Sequence, residues 1–437
     1  MPERKYGRRL LRGSLLNMIA VVFNQGSTLA ANIFVVHLLT QKMFGEYAII
    51  QMTLLTIATI SQLSTGYTAS KFIAQFRGSD PGRAGRIMGA CARLSAIMAV
   101  VSALLLVPCA PLLATSVLSS PHLGEALILG SGFVLFSTIN GYQMGALTGL
   151  EAFGSLAKAG VASGLVAVIA VVFGAWLGQL NGAIVGLGIG ALFRCVFHFG
   201  YLQAEAAANG LSPQYTGAIS QERSIIFSFA LPATLAGLYS LPMIWIANAI
   251  LFRHQDGHRE MALYAAASSI RLLTLFIPQV TNSVSLSILN NARSGTDPSK
   301  YASIYRSNIA IISGVAIVGT ATVGLFGDHV LGIFGSDFTD AVPTLQILMI
   351  SCVFEGIALA VYQHIQSCGR IWLSFFAITV PRELLFVVMA WILVPTYGAF
   401  GLGLAYTIGC LLALLIMCAL VSYERRTDIA APIQAVK

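Results

Sequence analysis

Residues 156–204 read "LAKAGVASGLVAVIAVVFGAWLGQLNGAIVGLGIGALFRCVFHFGYLQA". After Lys158 the stretch holds a single charged side chain, Arg194. Water does not solvate such a run, whereas a bilayer core accepts about 20 apolar residues per helical crossing. In lipid every backbone N–H and C=O needs an internal partner, which leaves helices or closed barrels. The run shows no apolar–polar alternation, so helices are predicted. It is too long for one crossing, and "NGAIVGLGIG" (181–190) marks the turn. Spans over about 156–179 and 182–204 follow.

The rest of the chain has the same character. Of 437 residues, 57% are hydrophobic and only 10% charged, with a mean hydropathy of +0.80. A soluble domain carries about 25% charged residues, so a water-soluble globule is excluded. The 42 glycines suit close helix packing in lipid. Net charge is +8, but the basic residues lie in connections between apolar runs, and no nucleic-acid partner is implied. The seven cysteines fall within or at the ends of apolar runs. None has metal-ligand spacing, and they read as small packing residues. The start, "MPERKYGRRLLRGSLLNMIAVVF", is basic then apolar like a signal peptide. Its apolar part runs on to about Leu39 without a cleavage site, so a retained first span is expected.

Segmentation by apolar runs predicts twelve spans: about 13–39, 45–66, 87–115, 125–150, 156–179, 182–204, 223–250, 261–289, 305–326, 342–366, 372–394 and 399–422. With the N-terminus inside, 18 Lys and Arg fall in inside connections and 3 in outside ones. This is the positive-inside asymmetry, and it puts both termini in the cytoplasm. The longest inside linker, "QAEAAANGLSPQYTGAISQERS" (203–224), suggests an N-terminal lobe of six spans over 1–211 and a C-terminal lobe over 212–437. The lobes echo each other. "NGAIVGLGIG" (181–190) and "YGAFGLGLAY" (397–406) occupy matching turns, with Gly182 and Gly398 216 positions apart. "FGEYAII" (44–50) and "MALYAAA" (261–267) put Tyr47 and Tyr264 217 apart. Six spans per lobe give both halves one orientation, as in parallel repeats.

An ordered set of stretches carries a family resemblance: "LLTQKMFGEYAII", "ALYAAASSIRLLTLFIPQV", "LFGDHVLGIFGSDFTDAVPTLQILMIS", "HIQSCGR" and "LVPTYGAFGLGLAYTIG". The chain resembles the polysaccharide-biosynthesis (O-antigen, Wzx-like) flippases of the multidrug/oligosaccharidyl-lipid/polysaccharide (MOP) exporter superfamily. The resemblance implies two six-helix lobes around a central cavity that opens alternately to either side of a bacterial inner membrane. It implies a polyprenyl-pyrophosphate-linked oligosaccharide as cargo, and glycan polymerase or ligase machinery as a neighbour. No cofactor is implied; coupling to H+ or Na+ is an open expectation. Members often carry Asp late in the seventh span, where this chain has Asn248.

Physics points to particular residues as well. Ionisable groups inside spans cost roughly 2.5–3.5 kcal/mol each on insertion scales and face protein or water. Four arginines lie in spans, Arg93, Arg194, Arg271 and Arg382, against two acids, Glu355 and Glu383. Arg93 is close enough to the cytoplasmic end to snorkel. Arg194 falls near mid-bilayer, either bonded to backbone carbonyls or waiting for a substrate anion. A guanidinium suits pyrophosphate, because it keeps its charge and donates paired hydrogen bonds. Arg271 and Arg382 either join that set or form structural pairs with Glu355 and Glu383. Adjacent helical positions point about 100° apart, so Arg382 and Glu383 are expected to make separate contacts. Arg382 would turn to the cavity or Glu355, and Glu383 to a neighbouring helix through Arg271.

Asn17, Asn24, Gln25 and Asn32 recur along the first span, either bonding between helices or, for Asn24 and Gln25, lining the sugar part of the cavity. Pro232, Pro242 and Pro381 read as kinks. "HQDGH" (254–258) is too short a ligand set for a metal, and His198 and His364, within spans, read as packed, with proton carriage as the alternative. These features favour a non-enzymatic flippase for O-antigen or exopolysaccharide. The alternatives are an ion-coupled multidrug exporter, which the positive intramembrane charge opposes, and a polytopic glycan polymerase or ligase, for which the outside loops are short.

Overall fold

The computed structural model describes residues 23, 26–215, 222, 239–293, 298–367 and 374–428. It is all-helical over these residues. In chain order the helices are α1 (Gly26–Leu38), α2 (Gln41–Ser61), α3 (Thr65–Phe76), α4 (Pro81–Leu112), α5 (Leu123–Leu129), α6 (Ser131–Gly149) and α7 (Phe153–Ala208). There follow α8 (Ser240–Phe252), α9 (Gly257–Arg293), α10 (Pro298–Leu325), α11 (Gly327–Gly332), α12 (Val342–Ser367) and α13 (Val380–Asp428). Seven helical stretches among the described residues are long and apolar enough to cross a membrane. Two of these, α7 and the stretch ending in α13, break sharply inside. The twelve expected spans fall largely on helix over their described parts, except that 45–66 is broken at Gln62–Ser64 and its second piece, α3, runs on to Phe76.

Local chemistry accounts for the helix ends. The Thr40 side chain accepts from Met43 N at 3.3 Å and caps α2. Asp80 accepts from Arg83 N at 2.8 Å, with Pro81 opening α4 where its missing N–H costs nothing. Within α2 the hydroxyls of Thr53, Thr56, Thr59 and Ser61 donate back to carbonyls one turn earlier, which hides them from lipid. Pro381 sits just after a π-turn over Phe375–Thr379 rather than inside a regular helix. That widened turn accommodates the carbonyl that proline leaves without a donor. Pro242 lies in the first turn of α8, where proline is tolerated. Pro232 lies outside the described residues.

The chain forms two compact units, Met1–Trp245 with Gln255–Ala262, and Ile246–His254 with Leu263–Lys437. The first has its core around Ile73, Ile87, Met88, Leu147 and Leu202; a core in the second is built on Val361, Ile378, Met417 and Val421. Within the first unit, contacts sort by face. The start of span two meets the connections after spans three and seven, as Glu46 lies 2.9 Å from His122 and 3.0 Å from His258. Residues from the connections after spans two, four and six meet likewise. Arg77 pairs with Glu151 at 2.6 Å, and Arg83 and Arg86 each approach Glu222 at 3.4 Å. The alternation of spans requires this sorting.

Over residues 211–215 the polar linker after Ala208 is packed against α4. Gln214 N donates to Gly85 O at 3.1 Å. A Cβ on Gly85 would stand 2.4 Å from Ser212 O, and one on Gly89 1.8 Å from Gln214 O. Glycine in α4 is what lets the linker backbone lie against the helix.

The stretch quoted at the outset folds as a helical hairpin, α7. Gly178 (φ −136°, ψ 24°) and Gln179 (φ 48°, ψ −128°) reverse it. Gly182, Gly186 and Gly190, at one-turn spacing, face Gly174, Ala170 and Ala167 of the first arm. A Cβ on Gly182 would lie 2.0 Å from Gly174 O, so the two backbones touch. In α13 the reversal falls at Gly398 (φ 52°, ψ −129°), and a Cβ on Gly401 would meet Leu393 O at 2.4 Å. The turns at Gln179 and Gly398 are thus equivalent, as are Gly182 and Gly401. The echo is present, but its register in these hairpins is 219 positions, correcting the 216 that matching Gly182 to Gly398 suggests.

Candidate functional site

In the second unit, α9, α12 and both arms of α13 bring three expected residues to one phenol, that of Tyr406. Arg271 Nη1 donates to Glu355 Oε2 at 2.8 Å and to the Tyr406 hydroxyl at 3.1 Å. The Tyr406 hydroxyl donates to the same Glu355 oxygen at 3.1 Å and accepts from Arg382 Nη2 at 2.9 Å. Both guanidinium carbons stand over the Tyr406 ring, at 4.5 and 5.4 Å from its centroid. Phe386 meets that ring edge-on, with centroids 5.4 Å apart. Cys410 Sγ lies 3.7 Å from Arg382 Nη2.

The charges here are two cations and two carboxylates, and they balance. Arg271, with 12% of its side chain exposed, is tied to Glu355. Arg382 Nη1 lies 3.6 Å from Glu383 Oε1. This corrects the expectation that the neighbours make wholly separate contacts. The arginine side chain is long enough to fold back across the 100° between them. Glu355 is bonded by Arg271 rather than by Arg382. Such a network gives little net stability against an apolar core, yet removing one partner strands a charge.

Tyr406 is the residue that sequence reasoning passes over. Its signal is a lone buried tyrosine in a Gly-, Ala- and Leu-rich helix. A buried phenol O–H needs a partner, and the nearby intramembrane charges are the available ones. At the 219 register, Arg382 and Tyr406 correspond to Ser163 and Leu187, and Arg194 to Ala413. The two hairpins share a backbone and differ in charge.

Arg194 lies in the second arm of α7 and is part-buried. Among the described residues, none hydrogen-bonds or ion-pairs with its guanidinium. Its backbone oxygen lies 2.8 Å from His198 Nδ1. His198 is buried, with Asn140 Nδ2 3.1 Å from the same ring nitrogen, and Gln143 Nε2 donates to Cys195 Sγ at 3.3 Å. The polar row beside Arg194 is therefore satisfied internally.

Arg93 is occupied otherwise. It is exposed, and its Nη1 donates to Tyr215 O of the linker at 2.6 Å. Asn24 and Gln25 lie outside the described residues, as does Asn17. Asn248 is buried in α8. A third acid belongs with Glu355 and Glu383: Glu46, near the start of α2, is only 4% exposed. No group of three or more His, Cys, Asp or Glu among the described residues is arranged to hold a metal.

A helical membrane protein with cations held at span depth is the class that these features define, and the chain has the fold of the MOP-superfamily transporters. It superposes on an inward-facing multidrug resistance MATE family transporter of that superfamily with a TM-score of 0.75, at 18% identity, covering 93% of this chain and 99% of the other. The lipid II flippase MurJ, in an inward closed conformation, matches with a TM-score of 0.74 at 13% identity, over 93% of this chain and 87% of the other. In sequence, the chain is 24% identical over 409 residues to the EPS I polysaccharide export inner membrane protein EpsE of Ralstonia nicotianae, covering 90% of this chain and 89% of the relative. No protein-family model matches. The superfamily resemblance read from the sequence is borne out by these likenesses.

Proposed function

We propose that the chain is a flippase that moves a polyprenyl-pyrophosphate-linked glycan across a bacterial inner membrane by alternating access, for exopolysaccharide or O-antigen assembly. The observation that carries this reading is Arg194, a guanidinium within a membrane span with no anion among the described residues to neutralise it. A pyrophosphate supplies the missing charge and accepts paired hydrogen bonds. Differential binding of that anion by two conformations is enough to drive exchange between them. The likeness to a polysaccharide export protein and to a lipid II flippase supports this cargo class. Coupling to H+ or Na+ and work beside a glycan polymerase or ligase remain part of the proposal.

The MATE likeness keeps a multidrug exporter as the second reading. An exporter of cations calls for an acid free to receive them. Glu46, Glu355 and Glu383 instead lie against histidines, Arg271 and Arg382. Deletion of the gene in its native host tests the proposal. Lipid-linked glycan units are expected to accumulate on the cytoplasmic leaflet. Normal polymerisation or ligation of those units in the deletion strain would contradict it.

A further inference from the structure

Glu46 from the first turns of α2 meets His122 and His258 from two separate connections, and both imidazoles converge on one of its carboxylate oxygens. Glu46 Oε1 lies 2.9 Å from His122 Nε2 and 3.0 Å from His258 Nδ1. The imidazole rings stack with centroids 6.0 Å apart, and Ser120 Oγ stands 3.3 Å from His258 Nε2. The contact is close at the backbone too, since a Cβ on Gly45 would fall 1.8 Å from His258 O. Nothing in the transport reading uses this cluster.

We infer that Glu46, His122 and His258 form a proton-binding latch that holds the 255–262 segment against α2, on the face that the Lys and Arg count assigns to the outside. The charged groups arranged around Glu46 are few. From the turn before α5 there is His122, and from the 255–262 segment His258; Ser120 is neutral. Lys42 on α2, Glu125 on α5, and Asp256, Arg259 and Glu260 beside His258 make no hydrogen bond or ion pair with Glu46.

With both imidazoles neutral, His122 bearing its proton on Nε2 donates to Glu46 Oε1, while His258 Nδ1 stands 3.0 Å from the same oxygen and Ser120 Oγ 3.3 Å from His258 Nε2. The cluster then carries one negative charge. One added proton brings it to zero and turns one imidazole–carboxylate contact into an ion pair, with both donor and acceptor charged. A second proton would set two imidazoliums over one carboxylate and oppose the gain. Imidazole is the side chain that changes charge across the physiological pH range, so the latch is tightest with one proton on the cluster and looser in more alkaline surroundings.

Hydrogen exchange of the full chain in nanodiscs tests the inference, with protection of residues 255–262 measured between pH 6 and 8 after correction for intrinsic exchange. Protection is expected to fall by about tenfold across that range, and Glu46→Gln is expected to abolish the pH dependence. If Glu46→Gln does not fold, His122→Gln serves, because His122 is 54% exposed and anchors no core. That variant should flatten the profile. A wild-type profile without pH dependence, or one that survives either substitution unchanged, would overturn the latch.

Discussion

Gln179 and Gly398 hold the same backbone conformation, φ 48°, ψ −128° and φ 52°, ψ −129°, at the reversal of two helical hairpins. L side chains rarely adopt it, and glycine adopts it freely. Gly398 fits its turn, whereas Gln179 carries strain that glycine would relieve.

Gln179→Gly should therefore raise thermal stability in detergent by about 0.5–1 kcal/mol, the relieved strain being partly offset by added freedom in the unfolded chain. Gly398→Ala should lower it by about 1 kcal/mol. Melting of the purified variants checks both signs, and two changes in the same direction would refute the equivalence of the turns.

The seam of α7 gives a second contrast. Gly182→Ala sets a methyl 2.0 Å from Gly174 O, a backbone atom that cannot turn aside. The arms must part, and overpacking of this kind costs about 1–3 kcal/mol. A methyl added at Gly160, in the same helix, would have nothing within 4 Å of it. Gly160→Ala should be neutral or stabilising. Folded yield and melting temperature read the difference.

The Tyr406 cluster should respond as one unit. Glu355→Gln strands Arg271 and should cost about 1–3 kcal/mol, at the lower end for a buried pair because 23% of the Glu355 side chain is exposed. Tyr406→Phe removes one donor and one acceptor and should cost about 1–2 kcal/mol. Combining the two should cost less than their sum, because they share partners. Strict additivity would show that the hydrogen bonds at Tyr406 are not coupled.

Helical architecture was legible because lipid leaves a chain few choices. Long apolar runs ended by basic connections mark spans, and the two broken helices fall where the sequence turns polar. The register of the repeat was not legible. Glycine matching pairs Gly182 with Gly398, but the turn in the first hairpin is made by Gln179 in a glycine conformation. Intramembrane charges stand out in such a sequence, so Arg194, Arg271, Arg382, Glu355 and Glu383 were all found. Pairing of the two arginines with the two acids was one of the alternatives read there, but Tyr406 was not, since it reads as packing until its hydroxyl is seen between two arginines. The Glu46 cluster was hidden for another reason, its three members being far apart in the chain and each unremarkable alone.

Transport by Arg194 variants tests the central claim most directly. The protein would be reconstituted in liposomes with a polyprenyl-pyrophosphate-linked glycan, and flipping read from the accessibility of the sugar to an added lectin. At matched protein levels, Arg194→Lys should keep a reduced rate, since it retains the charge but loses the paired donors. Arg194→Gln should lose at least about tenfold, the worth of one charged hydrogen bond. Flipping by Arg194→Gln at the wild-type rate would contradict the account.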